Sequence, residues 1–258
     1  MKSFFDRNII RQSIPQSEVA TIKQQYNSSL LHLCKGKLDD FYNDYRELTN
    51  LYIRLEVPYV ALINEINHMQ HILMELFISY DKKDEIITIY KLTVNIQNII
   101  AKIYFDIYAK NLISLCNNRL SSLSDMVEKF VVDHLVWLID IAKSLTNNNK
   151  QSFPQTDKTM CGFGKWLISD AKKMIKNNSK LKELERVHSQ LHYISIQIKQ
   201  ILISNEDYDY DILLTYLEKC ELLSLSIGTE LALIDNTIIN QKAIKDTLTG
   251  AIGRQGLA

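Results

Sequence analysis

Residues that end helices or turn strands are scarce in this chain. Three prolines (Pro15, Pro58 and Pro154) and seven glycines punctuate 258 residues. Strands joined by tight turns need far more glycine and proline, so long helices are the default. Residues 37–55 (KLDDFYNDYRELTNLYIRL), 59–80 (YVALINEINHMQHILMELFISY) and 84–115 repeat apolar residues three and four apart. That spacing gives each helix one buried stripe and predicts an all-α fold. Pro58 is expected to start the second of these helices.

A chain of this length suits two domains. Thirty basic and thirty acidic residues cancel, which removes the electrostatic case for nucleic acid or an anionic membrane as principal partner. No run approaches the roughly 18 uncharged residues of a membrane span, so the expectation is a cytoplasmic protein with no membrane span. Cys34, Cys116, Cys161 and Cys220 lie far apart with no framework spacing. Cysteines so placed in the cytosol are metal ligands, redox sites or core filler before they are disulfides.

The clearest break is residues 146–160 (TNNNKQSFPQTDKTM); a second, 204–211 (SNEDYDYD), is short and acidic and fits a helix hairpin. Beyond it, Leu231, Ile234, Ile238 and Ile239 are spaced to form a seam with a second copy or to face the chain's own bundle.

Around the first break the chemistry concentrates. In VVDHLVWLID (131–140), His134 shares an apolar face with Val131 and Leu138. After the loop comes CGFGKWL (161–167), two glycines flanking Phe163 directly after Cys161. In LKELERVHSQLHYISI (181–196), His188 and His192 stand one turn apart on the face of Leu184, Leu191 and Ile198. Three imidazoles and one thiolate suit tetrahedral zinc and complete the set without water. The glycines fit a tight turn that aims the sulfur inward. A histidine in an apolar stripe is ordinarily a satisfied core residue, and buried cysteines ordinarily act as small hydrophobes. On spacing alone, the metal centre and the packed core stand side by side.

The order His134 with Trp137, then CGFGKW, then His188 and His192 resembles the chemoreceptor zinc-binding domain, over about residues 118–205. The resemblance implies a four-helix bundle, commonly a homodimer, with His134, Cys161, His188 and His192 as zinc ligands, and it makes 146–160 a loop inside the domain. The tail, KDTLTGAIGRQGLA, is similar to the opening of a GGDEF diguanylate cyclase domain: Asp246, Leu248, Thr249, Gly250 and Arg254 match, while Ala251 and Gly253 depart. The chain has no Gly-Gly pair, so it is expected not to be an enzyme itself: it reads first as a fragment that stops just past the hinge of a parent cyclase, and second as a natural product that stops there.

Residues 31–76 resemble the later helices of globin-coupled sensors, through GKLDDFY, an Arg and Leu ahead of Pro58, and a helix beginning near YVALINEIN. Where that family carries its proximal histidine, two residues before Arg54, this chain has Tyr52, the candidate haem-binding position. Too few residues precede it for all the early globin helices, and the expectation is a globin-derived module that has lost its cofactor. His32, His68 and His71 read as surface or packing residues.

The expected organisation is a helical sensor module over 1–117, a zinc-binding bundle over 118–230, a signalling helix over 231–245 and the start of a GGDEF domain over 246–258. The function expected is zinc-dependent control of c-di-GMP synthesis through dimer geometry. The alternatives are a haem-based gas or redox sensor and a structural helical dimerisation module. A catalytic zinc enzyme would need an open coordination position and a nearby base, and the residues between His188 and His192 are Ser-Gln-Leu rather than the start of an HExxH motif.

Overall fold

The computed structural model describes residues 14–81, 83–120, 128–204 and 208–244. Among the described residues every regular element is a helix, as the scarcity of breakers predicts. The chain divides into two compact units: Met1–Tyr108 with Asp209–Leu214, and Ala109–Tyr208 with Thr215–Ala258.

The first unit is built from α1 (Gln16–Cys34), α2 (Leu38–Arg54), α3 (Tyr59–Ser79) and the leading part of α4 (Lys83–Leu120). Gly36, at φ +69°, takes the left-handed conformation that turns α1 back into α2. Asp39 and Asp40 occupy the first turn of α2 and complement the positive end of the helix. Pro58 caps α3. A missing N–H costs nothing there because the first turn has no intrahelical acceptor for it. The core is formed by Ile22, Phe41, Leu48, Leu62, Ile96 and Ile100 with their neighbours.

Tyr52 belongs to this core, 4% exposed, and burial pushes its phenol pKa well up. Tyr104 donates from Oη to the Val57 carbonyl at 2.6 Å, tying α4 to the α2–α3 corner. His32 pairs with Asp44 at 2.8 Å and His71 with Glu75 at 3.1 Å.

The second unit draws on the rest of α4, on α5 (Glu128–Thr146), α6 (Gly162–Ser169), the single turn α7 (Ala171–Met174), α8 (Asn178–Ser204) and most of α9 (Tyr210–Ile244). Helix α8 buries Leu181, Leu184, His188, Leu191, Ser195, Ile198 and Leu202, a stripe at intervals of three and four. Leu138, Ile141, Ala142 and Leu145 are buried on α5, and Leu217, Cys220, Ile227 and Leu231 on α9. Lys180 of α8 pairs with Glu230 of α9 at 3.3 Å. The side chains of Ile234, Ile238 and Ile239, and the whole of 246–258, lie outside the described residues. No helix among the described residues is long and apolar enough to cross a membrane.

Candidate metal centre

The loop between α5 and α6 is held by its own polar side chains. Asn149 caps a turn of 3-10 helix, Lys150–Ser152, by accepting from the amides of Gln151 and Ser152. The Trp137 indole N–H donates to the Gln155 carbonyl at 2.9 Å, anchoring the loop to α5. The Asp157 carboxylate accepts from the amide and hydroxyl of Thr159, both at 2.8 Å. These bonds hold its pKa below the usual range.

This frame delivers Cys161 as the N-cap of α6, its Sγ accepting from the Gly164 amide at 3.2 Å. The position favours a thiolate, since the helix end presents unpaired N–H groups. Burial opposes this and pushes the thiol up, with the Gly164 and Phe163 amides pulling it back. Gly164 is required by space: a Cβ there would lie 1.7 Å from the Lys158 carbonyl oxygen. The second glycine of CGFGKW thus lets the cysteine turn lie directly on the backbone of the loop.

Opposite Cys161, α8 presents its two histidines. Sγ lies 3.1 Å from His188 Nε2. His192 Nδ1 donates to the Thr156 carbonyl at 2.9 Å, which fixes the proton on Nδ1 and leaves the Nε2 lone pair to face a metal. Burial, followed by His192 and His134, lowers the His188 pKa to about 3. Burial lowers that of His192 as well. The His188 ring is therefore neutral at neutral pH, the form a metal binds.

One ligand atom from each of Cys161, His188 and His192 lies within 4.8 Å of the others. Tetrahedral zinc, with bonds of about 2.0–2.3 Å, spaces its ligand atoms about 3.3–3.7 Å apart, so small adjustments suffice, the Cys161–His188 pair opening slightly from 3.1 Å, and the residues fit the ion. His134 is 5% exposed and stands outside that group. Its ring centroid is 5.6 Å from that of His188 and 5.0 Å from that of Phe163. It is adjacent to the group but not part of it. Trp137 covers His192 at 5.3 Å between centroids, and Phe163 stands against His188 at 5.0 Å. Tyr52 is assigned to the other unit.

Sequence reasoning missed the carbonyls of Thr156 and Lys158. Every residue carries a carbonyl, so no residue type marks them. The covering role of Trp137 and Phe163 was closer to hand, because both lie inside the motif that drew attention to the site.

No curated protein and no solved structure matches this chain. Residues 134–199, roughly a quarter of the chain, match the family model of the chemoreceptor zinc-binding domain. The match opens on His134 and closes seven residues past His192, so all four candidate ligands fall inside it. The segment that builds the centre is therefore similar to a chemoreceptor zinc-binding domain.

Proposed function

We propose that this chain is a zinc-binding sensory module, with zinc held by His134, Cys161, His188 and His192. The observation that carries the reading is the convergence of Cys161, His188 and His192 within 4.8 Å, with the His192 tautomer set by the Thr156 carbonyl. Bound zinc would tie α5, the start of α6 and α8 into one packed arrangement. A full set of four protein ligands leaves no position for substrate water, so the role is conformational rather than hydrolytic.

Output runs through α9, which carries the buried Leu231 and whose sequence continues into the tail similar to a GGDEF opening. In a cytoplasmic homodimer, zinc occupancy would bias how the α9 helices emerge and whether two cyclase domains meet to make c-di-GMP. Zinc is assigned to the inhibited state, and oxidation of Cys161 would loosen the ion by removing its thiolate.

The test is metal content with an absorption spectrum, on wild type, Cys161→Ser and His188→Ala purified without added metal. One zinc per chain, lost in both variants, with no Soret band, supports the reading. A metal-free wild type, or zinc retained in Cys161→Ser, overturns it. A Soret band would move the sensory role to Tyr52 and the first unit.

A further inference from the structure

Beside the centre lies a cleft of about 360 Å³, at the small end of ligand sites, which run roughly 300–1,000 Å³. Its walls carry Lys158, Lys182, Arg186, Glu185 and Ser189, and His188 borders it. Cys161 and His192 do not line it. The cleft therefore reaches the centre along a single ligand.

Its charge is one-sided. Three cationic side chains face one carboxylate. Arg186 is already engaged by Glu183, at 2.8 and 2.5 Å, and by Gln190 at 3.0 Å. Lys158 donates to the neutral Ser189 hydroxyl at 3.0 Å. Neither Lys158 nor Lys182 makes an ion pair among the described residues. Lys158 also links the cleft to the centre, because its carbonyl accepts from the Cys161 thiol at 3.5 Å and lies against Gly164.

We propose that this cleft is the docking site for a small anionic zinc-exchange ligand of the polycarboxylate class, and that zinc leaves by exchange at His188. The inference rests on the zinc reading above. The anion would be drawn in by Lys158 and Lys182, and one of its carboxylate oxygens would replace His188 Nε2 as a ligand, the neutral imidazole being released in exchange. No electron is transferred and no co-reactant is needed. Cys161 and His192, which do not line the cleft, would be displaced later. Zinc occupancy would then respond to anionic carriers and not only to free zinc.

The experiment is stopped-flow zinc release from the full zinc-loaded chain, with nitrilotriacetate as the anionic probe and 1,10-phenanthroline as the neutral one. With nitrilotriacetate the release rate is expected to saturate with concentration, reporting a bound complex before exchange. Lys182→Glu is expected to raise the half-saturating concentration about five- to tenfold at 0.15 M salt, with Lys182→Arg near wild type. Phenanthroline release should be the same in all three proteins. A nitrilotriacetate rate independent of concentration, or one that Lys182→Glu leaves unchanged, overturns the proposal. Lys182 is exposed, and matching circular dichroism of the variants verifies the fold. Zinc measured before mixing separates the two failures: a metal-free protein overturns both readings, whereas zinc with a charge-insensitive release overturns the cleft alone.

Discussion

Replacing Gly164 by alanine tests whether the glycine of CGFGKW serves the metal centre. The added Cβ would fall 1.7 Å from the Lys158 oxygen, 2.9 Å from its carbonyl carbon and 3.2 Å from His188 Cε1. Carbon and carbonyl oxygen rest at about 3.3 Å or more, so the cysteine turn and the loop must part by about 1.6 Å. Metal sites hold ligand distances to about 0.2 Å, and the displaced segment carries Cys161. Overpacking of this kind costs about 1–3 kcal/mol, and zinc affinity is expected to fall about 10- to 100-fold.

Gly162→Ala is the control. There the Cβ meets only the Asp133 carboxylate, Oδ2 at 2.6 Å, an exposed side chain free to swing aside. Its zinc affinity should stay within about threefold of wild type. The assay is competition against a chromophoric chelator, with helicity and melting recorded on the same samples. Wild-type zinc affinity in Gly164→Ala would refute the argument, as would equal losses in the two variants.

Trp137→Phe keeps most of the apolar cover but removes the hydrogen bond to the Gln155 carbonyl. A loss of about 1 kcal/mol in thermal unfolding and a several-fold weaker zinc affinity are expected; unchanged values would show that the indole does not hold the loop. The pKa of His188, lowered to about 3 in the folded chain, is close to 6.5 when unfolded. Its neutral burial supports folding fully above pH 6.5, and that support fades as pH falls toward 3. Metal-free protein should therefore lose about 2 kcal/mol between pH 7 and pH 5 in urea titrations; a flat profile refutes this. Cys116 and Cys220 are 2% and 0% exposed, their thiols pushed up to about 11 and about 12 by burial. Native alkylation should label Cys34 and, without zinc, Cys161, and labelling of Cys220 before unfolding would contradict the packing.

Much of the fold was legible because helices declare themselves by period and by their breakers. Pro58 marks the start of α3, and residues 146–160 separate α5 from α6. The inward aim of His188 and His192 followed from the stripe they share with Leu184 and Leu191, all four of which are buried. The centre was less legible. Periodicity fixes the face on which His134 lies but not its reach, and its ring sits beside the three-atom group rather than within it. The cleft was invisible to sequence, because Lys158 and Lys182 share a wall only after the loop has folded back onto α8.

The bond from His192 to the loop ends on a backbone carbonyl at Thr156. The identity of the side chain there is immaterial to the proton it fixes, so the loop is free to drift in composition while the centre persists. Its spacing is not free. Trp137 grips the chain at Gln155, His192 at Thr156 and the cysteine turn at Lys158, three holds within four residues. A single insertion there would put the holds on its two sides out of register with each other, while most substitutions would leave them intact. Among natural variants of such a centre, the length between Gln155 and Cys161 should vary far less than its letters.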